Sequence, residues 1–489
     1  MGNRDSQLSG CPQSNKRGAF ISKYAAGSSV SDQLRPSGPL VPTLRDVVGS
    51  VAAPGSAREV SFRLESGDSR PDKRARVLTC LFYFLMNARQ LAHRCLYDWN
   101  QRTDYAEELF SRLSGEWGMS GSERGFAREL FYGVLRNLSA LDYVIEELTS
   151  RPPALEPRLA LQLGLYQLLM LRTAAHAAVS ETVDLVTKPQ RGFVNGVLRR
   201  VTRELEVIEQ KLAAQPDQIR LSHPDFLLEK WVHQFGQEGA RQIAEWNNLP
   251  AEVYLRRNTL VSKFSTEGLE ATAHPLVFRS LGSTPLPFSN GEYYAQDPST
   301  LVAPELLAPQ LHEHILDACA APGGKASYLA ALMGNSGKIT ATDSDEKRLS
   351  RLEANLSRLE VTNTTIIQHD WESGAAPLEP TLYDAILADV PCSNTGVMRR
   401  RIDVRWRLRP EVFYESSARQ LVILENLLPY LKPGGRLVYS TCSIDESENE
   451  DVIQSFIRRH PHMQLIKTER RLPLFDGMDG CFAALLVSA

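Results

Sequence analysis

Two different hydrophobic patterns divide the chain into a helical part and a mixed part. Between residues 86 and 212, apolar side chains recur every three or four positions, as in Leu159, Leu163 and Tyr166. This spacing places them on one face of a helix and predicts an all-helical domain over 86–212. Residues 1–85 show no sustained period and are rich in serine, glycine, proline and arginine, so we expect disorder there. Since Met86 opens an amphipathic helix pattern, an alternative interpretation is that translation begins at Met86.

From about residue 221 to 489, short apolar runs rich in valine and isoleucine alternate with helical stretches, and 221–300 leads into them. Five runs are typical of buried strands that end in polar loops: 314–324, 338–345, 364–370, 383–392 and 435–443. Strands that alternate with helices predict a doubly wound, mostly parallel α/β sheet. Ligands bind beyond the carboxyl ends of such strands, so the five polar loops are expected to form a site.

Composition and charge narrow the classes of protein that fit this fold. The formal net charge is −3, which neither supports nor excludes a nucleic-acid partner. The seven cysteines are scattered and form no C-x-x-C pair, which favours a reducing cytoplasm and no structural metal. The longest apolar run, 77–86, is shorter than the roughly 18 residues that span a membrane. We therefore expect a cytoplasmic protein with neither a metal nor a membrane partner.

The loop after the first predicted strand has the features of a nucleoside-type cofactor site. Gly323 and Gly324 allow close approach of the backbone to a ligand, and they precede a predicted helix. The loop is neither G-x-G-x-x-G nor a phosphate loop, which argues against NAD and ATP. Asp343, about 20 residues further on, is placed to bind a ribose, and Asp370 to meet an adenine or an ammonium group. A simple turn is the alternative interpretation for both aspartates.

Two cysteines and an aspartate end the fourth and fifth predicted strands. A thiolate that adds to carbon 6 of cytosine makes carbon 5 nucleophilic, and a second group must then act as or support the general base that removes the carbon 5 proton. Cys392 and Cys442 fit these two roles, although their spacing does not say which one attacks. Asp389 could bind the N3 and amino edge of a flipped cytosine, and Lys325 could favour the thiolate.

A run of arginines follows the first of these cysteines. It is predicted to grip phosphates and stack on bases of single-stranded RNA, with a merely solvated loop as the alternative. Its members are Arg399, Arg400, Arg401, Arg405, Trp406, Arg407 and Arg409.

Three motifs together carry a family resemblance: 319–325 (CAAPGGK), 389–392 (DVPC) and 441–443 (TCS). They resemble the NOL1/NOP2/Sun (RsmB/NOP) family of RNA cytosine-5 methyltransferases. Segments 164–171 and 192–200 resemble the NusB-like domain that is fused to the bacterial small-subunit rRNA methyltransferases of this family. The resemblance covers roughly residues 86–489.

This resemblance implies a class I, Rossmann-like methyltransferase that uses S-adenosylmethionine and acts on small-subunit rRNA. We expect the protein to be a monomer.

 The resemblance implies that Cys442 attacks carbon 6 and that Cys392 assists release. It also implies that the cofactor or target base contacts Cys319, Ala320, Ala321, Pro322, Gly323, Gly324, Lys325, Asp343, Asp370 and Asp389. Two alternatives stay open: a cytosine-5 methyltransferase that acts on tRNA, and a non-catalytic RNA-binding factor in ribosome assembly.

Overall fold

The structure is a computed structural model, and it describes residues 87–101, 104–282, 290–374 and 382–489. The expected disorder over 1–85 and the alternative start at Met86 lie outside these residues.

The first part of the described chain is all helical, as the sequence predicts. One helix follows another from residue 88, and a π-helical turn over Tyr166–Met170 comes after the fifth. Their bounds are α1 Ala88–Gln101, α2 Ala106–Glu116, α3 Gly121–Arg136, α4 Leu138–Leu148, α5 Leu155–Leu165, α6 Ala175–Val183, α7 Lys188–Arg203 and α8 Leu205–Ala213. Leu159, Leu163 and Tyr166 are buried, which explains the period of their apolar positions.

The helical run continues beyond the predicted domain end at residue 212. Helix α9 covers Asp217–Arg220, and α10 covers Asp225–Asn248. Helix α10 buries Leu227, Trp231 and Ile243 in a cluster that also contains Met398 and Val404 from the arginine-rich segment. The lead-in segment therefore packs against a part of the chain that lies about 150 residues later. The division into domains at 86–212 and 221–489 stays a prediction.

A small antiparallel sheet follows α10 in the chain and precedes the strands of the large sheet. Its order is β2-β3-β1-β4, with β1 Tyr254–Arg257, β2 Leu269–Ala271, β3 Val277–Ser280 and β4 Tyr293–Ala295. The buried Arg256 guanidinium donates to Gln296 Oε1 (2.8 Å) and Ser327 Oγ (2.8 Å). Because buried donors must be paired, these bonds hold the small sheet against the helix that carries Ser327.

The last part of the chain alternates strands and helices around one large sheet. Its strands are β5 His314–Asp317, β6 Lys338–Asp343, β7 Thr364–Gln368, β8 Tyr383–Asp389, β9 Leu431–Thr441, β10 Met463–Arg471 and β11 Cys481–Ser488. Its helices are α11 Val302–Leu307, α12 Gly324–Leu332, α13 Glu346–Arg358, α14 Val404–Arg407, α15 Pro410–Leu427, α16 Glu450–Arg459 and α17 Pro473–Asp476.

The strand order is β10-β11-β9-β8-β5-β6-β7 among the described residues. The five predicted strands, β5 to β9, pair in parallel, whereas β11 pairs antiparallel with β9 and β10. The predicted doubly wound α/β sheet is therefore confirmed, with an antiparallel edge that was not predicted. Successive residues of β5 face opposite layers: Ile315 joins the core cluster of α11 and α12, and Leu316 joins that of α15 and α16.

The order of the strands reverses between β5 and β8. From β5 the chain proceeds to β6 and β7 on one side, and from β8 to β9 on the other. A crevice opens at the carboxyl ends of strands where the order reverses in this way. The loops that follow β5, β8 and β9 therefore meet at this edge, and they carry the predicted cofactor loop and both predicted thiols.

Candidate active site

The predicted cofactor loop connects β5 to α12, and its two glycines are required by its geometry. Gly323 has a φ of +104°, and a side chain there would meet Leu352 Cδ1 at 2.9 Å. A side chain at Gly324 would meet Tyr294 Cε1 at 2.9 Å. The backbone can therefore turn tightly at the start of α12 only because both positions lack a Cβ.

The two aspartates predicted to bind the cofactor differ in their surroundings. Asp343 ends β6, is buried, and accepts from the amide of Ala321 in the cofactor loop (3.2 Å). Its carboxylate also lies 3.3 Å from the Arg348 guanidinium. Asp370 follows β7, is exposed, and accepts from the amide of Glu372 (2.9 Å) as a turn residue does. Asp343 is thus bonded to the cofactor loop, whereas the Asp370 carboxylate is exposed at the carboxyl end of β7, where a ligand could reach it.

Asp317, at the end of β5, is a site residue that sequence reasoning missed. It is fully buried, and among the described residues neither of its carboxyl oxygens has a hydrogen-bond partner. Burial raises the pKa of Asp317 to about 8, and the negative charges of Asp389 and Asp343 add to this shift. Its place directly before the cofactor loop was the signal in the sequence that could have identified it.

These features fit S-adenosylmethionine, which carries a sulfonium, an ammonium and a ribose. An unpartnered buried carboxyl favours a cationic ligand, because a charged or hydrogen-bonding partner offsets the cost of its burial. The two glycines let a ligand approach the backbone closely, and Asp343 lies at the carboxyl end of β6, the position predicted for ribose binding. The residues at this edge of the sheet therefore suit the cofactor that the family resemblance implies.

The two predicted catalytic cysteines lie side by side. Cys392, in the loop after β8, and Cys442, directly after β9, bring their Sγ atoms to 3.0 Å. Both side chains are partly exposed, and Cys442 Sγ also lies 3.2 Å from Asn394 Oδ1. The contact with Cys442, together with burial, raises the pKa of the Cys392 thiol well above its ordinary value. Cys392 therefore keeps its proton, and its S–H is close enough to donate to the sulfur of Cys442.

Lys325 and Asp389 form an ion pair beside the cysteines. Lys325 Nζ lies 2.7 Å from Asp389 Oδ2, and Ser440 Oγ donates to Asp389 Oδ1 (2.8 Å). Although burial lowers the pKa of Lys325, the charges of Asp389 and Cys442 outweigh it, and the pKa is raised. Lys325 is therefore a cation at neutral pH, and its predicted role of favouring the thiolate stays a prediction.

Comparison with known proteins places the chain in a family. Residues 304–482 match the family model described as 16S rRNA methyltransferase RsmB/F, and residues 86–203 match the NusB family. The probable ribosomal RNA small subunit methyltransferase B of Bacillus subtilis is 33% identical over 79% of this chain and 92% of its own length. The chain belongs to the RsmB/F family of 16S rRNA methyltransferases. This membership confirms the predictions of an S-adenosylmethionine-dependent cytosine-5 methyltransferase of small-subunit rRNA with a NusB-like domain.

Two further relatives agree with membership of the RsmB/F family. The ribosomal RNA small subunit methyltransferase B of Erwinia tasmaniensis is 38% identical over 74% of this chain and 89% of its own length. The crystal structure of PH0851 covers 82% of this chain and 99% of its own, with a TM-score of 0.67 and 23% identity. At that identity the PH0851 structure supports the fold alone. In the part of this RsmB/F chain that the structure describes, no helix is long and apolar enough to cross a membrane.

Two arginines of the run, Arg399 and Arg405, are buried in this RsmB/F family member, so the predicted RNA-gripping surface needs correction at these two positions. The Arg405 guanidinium is fully buried and donates to Asn248 Oδ1 (2.7 Å) and Asn247 O (3.1 Å). The Trp406 indole is partly buried and donates to Leu135 O (2.8 Å) in the helical region. The run instead joins the NusB-like helices to the methyltransferase sheet, because its side chains pair with buried backbone carbonyls.

The other predicted RNA contacts divide between inner and outer positions. Arg399 donates to Pro250 O (2.9 Å), and Arg400 forms ion pairs with Asp297 (2.6 Å) and Asp479 (2.5 Å). Arg407 forms an ion pair with Asp403 (3.1 Å). Of the seven residues in the run, Arg401 and Arg409 are exposed, and Arg401 is the one that lies beside Asn394 (3.4 Å) in the Cys392 loop. Arg401 therefore remains the candidate for an RNA contact.

Replacing Arg405 by alanine is expected to destabilise the fold of this RsmB/F family member. The change leaves three carbonyl acceptors without a donor in the core, which costs about 3 kcal/mol in the free energy of unfolding. Urea denaturation monitored by circular dichroism measures this loss. Arg409→Ala is the matched control, because its ion pair with Glu415 is exposed and contributes less than about 1 kcal/mol. Equal losses for the two variants would contradict the internal role of Arg405.

Proposed function

We propose that this chain methylates carbon 5 of a cytosine in small-subunit rRNA through a covalent intermediate, with Cys442 as the nucleophile and Cys392 assisting release. The observation that carries the proposal is the 3.0 Å contact between the two sulfurs at the edge of the sheet where the cofactor loop lies. Burial and the contact with Cys442 raise the pKa of the Cys392 thiol, which makes Cys392 the poorer nucleophile and leaves the attack to Cys442.

The reaction begins with the target base out of its stack and in the crevice. The Cys442 thiolate forms a bond to carbon 6, and the electron pair of the 5,6 double bond moves to carbon 5. The Lys325 cation stabilises the thiolate before this attack. Asp389 keeps unused lone pairs on both oxygens, so it can accept from the amino group of a cytosine, which uracil lacks.

S-adenosylmethionine, when bound, supplies the methyl group to carbon 5. Asp317, Asp343 and the loop 319–325 would hold it, and Asp370 would reach it from the rim. After the transfer, the carbon 5 proton passes to a general base, and the carbon 6–sulfur bond breaks as its electron pair returns to Cys442. Cys392 assists this step because its S–H donates to the departing sulfur.

Methyl transfer from labelled S-adenosylmethionine tests the proposed substrate. We expect labelling of bacterial small-subunit rRNA at one cytosine and none of tRNA under the same conditions. The NusB-like helices support this choice, because they add a second surface beside the active site through Trp406 and Asp403. Labelling of tRNA instead would favour the alternative substrate, and no labelling of either RNA would favour a non-catalytic assembly factor. We further propose that the enzyme works in the cytoplasm, as a monomer and without a metal ion.

The affinity for S-adenosylmethionine is expected to rise with pH, because burial holds the pKa of Asp317 at about 8. A cationic ligand binds the ionised carboxylate, so below pH 8 the site must release a proton on binding. The affinity should then fall by up to about tenfold for each pH unit. Isothermal titration calorimetry between pH 6 and 9 measures this dependence. Asp317→Asn, which cannot ionise, should flatten it, and an equally steep dependence in that variant would contradict the assignment.

A further inference from the structure

Glu448 is a buried carboxylate next to the catalytic cysteines, and the mechanism above does not use it. It lies on a 3-10 turn over Glu446–Glu448 that follows the Cys442 loop, and its exposed fraction is 0%. Among the described residues it takes part in no ion pair, and all of its partners are neutral. A carboxylate buried without a cation is costly, so its hydrogen bonds must hold it firmly in place.

The partners of Glu448 fix the peptide groups on both sides of Cys392. Glu448 Oε1 accepts from the amide of Ser393 (2.9 Å) and from Gln420 Nε2 (3.1 Å). The same Gln420 amide donates to Pro391 O (3.0 Å). Glu448 Oε2 accepts from Ser393 Oγ. The residues before and after Cys392 are thus tied to one buried carboxylate, which leaves the thiol little freedom to move away from Cys442.

The charge of Glu448 also acts on Cys392. It adds to the effects of the Cys442 contact and of burial, and it raises the pKa of the Cys392 thiol. The other ionisable groups around Cys392 and Glu448 are Cys442, Tyr439, which donates to the backbone of Glu448, Asp445, which lies 3.7 Å from Lys230, and the Lys325–Asp389 ion pair. Lys325 is already paired with Asp389 at 2.7 Å, so the Glu448 charge is the one that no cation in the described chain neutralises.

We propose that Glu448 is a positioning residue that holds Cys392 against Cys442 and keeps Cys392 protonated. Cys442 is then left to attack the base, and Cys392 to assist its release. The inference rests on the proposed function for its catalytic consequence, because a protonated Cys392 is what assists the departure of Cys442. Its structural part, the hold of Glu448 on Cys392, does not need RNA and can be measured separately.

Alkylation of Cys392 measures the hold of Glu448 without any RNA. In a Cys442→Ser background, iodoacetamide labelling of the Cys392 peptide is followed by mass spectrometry across pH. Glu448→Gln keeps the shape and removes the charge, so we expect labelling to begin at lower pH, because the thiolate is no longer opposed by a negative neighbour. Glu448→Asp keeps the charge, so labelling in this variant should begin at a pH closer to that of the protein in which Glu448 is unaltered. An unchanged pH of labelling in Glu448→Gln would overturn the proposal.

Adduct formation measures the catalytic consequence. With rRNA and S-adenosylmethionine, Glu448→Gln should accumulate a protein–RNA adduct and turn over at least about tenfold more slowly. Glu450→Gln is the matched control: its carboxylate pairs with Arg470 (2.6 Å) and contacts neither cysteine loop, so it should behave as the unaltered enzyme. If Cys392→Ala accumulates an adduct and Glu448→Gln does not, the proposal fails. If Cys392→Ala accumulates none, the release role of Cys392 fails, and alkylation alone decides the role of Glu448.

Discussion

Replacing Cys442 by alanine is expected to abolish methyl transfer to rRNA, with a loss in turnover on the order of 10⁴ or more. Without the thiolate, no bond forms to carbon 6, and carbon 5 stays too electron-poor to accept a methyl group. Transfer of labelled methyl from S-adenosylmethionine measures the loss, and denaturing gels should show no protein–RNA adduct. The binding of S-adenosylmethionine should be retained, because Cys442 lies outside the cofactor loop.

A cysteine outside the site provides the control for this result. Cys95 is fully buried in α1, in the helical region, so Cys95→Ala should keep full methyl transfer at temperatures where the protein is folded. If Cys442→Ala stays active while Cys392→Ala is inactive and forms no adduct, the nucleophile is Cys392. The two thiols are close enough, at 3.0 Å, for such an exchange of roles to be a real alternative.

Replacing Cys392 by alanine is expected to trap the reaction after the methyl group has been transferred. The Cys442 thiolate still attacks, but its departure from carbon 6 loses the S–H donor that lies 3.0 Å away. We expect a protein–RNA adduct that survives denaturation, carries the labelled methyl group, and forms in up to one copy per protein. Turnover should fall at least about a hundredfold.

The double variant shows whether the adduct depends on Cys442. Cys392→Ala combined with Cys442→Ala should form no adduct, because both thiols of the loops after β8 and β9 are then absent and neither can bond with carbon 6. An adduct that persists in the double variant would place the covalent bond on another residue and contradict the proposed mechanism.

Most of the methyltransferase sheet could be predicted from the sequence, because its strands are buried on both faces. The run 383–392 is rich in apolar residues, the run 338–345 has apolar residues that alternate with threonines, and helices separate the two, so β8 and β6 were recognisable. The antiparallel strands β10 and β11 were not. Much of β10 is exposed at the edge of the sheet, so its sequence, which includes Glu469, Arg470 and Arg471, lacks the apolar pattern of a strand.

The arginine run shows where local composition is misleading. Arg405 and Trp406 stand in a sequence that is typical of a solvated or phosphate-binding loop, yet Arg405 is fully buried and the Trp406 indole donates to a backbone carbonyl. Their acceptors include the backbone carbonyls of Asn247 in α10 and Leu135 in α3, which precede them by more than 150 residues. A charge that is paired with distant carbonyls leaves no local signal, so only the packing of these elements separates it from an exposed arginine.

The sequence by itself determined the fold class, the helical domain before it, and the loops that carry Gly323, Cys392 and Cys442. These depend on local periodicity and on residues at strand ends, which act over a few positions of the chain. The tertiary structure decided which side chains share the site: the contact between the two sulfurs, the unpartnered carboxyl of Asp317, and the hold of Glu448 on the Cys392 loop. The contacts join residues that are about 50 positions apart, and burial shifts the pKa values of the groups involved. Neither the contacts nor the pKa shifts can therefore be read from a local sequence pattern.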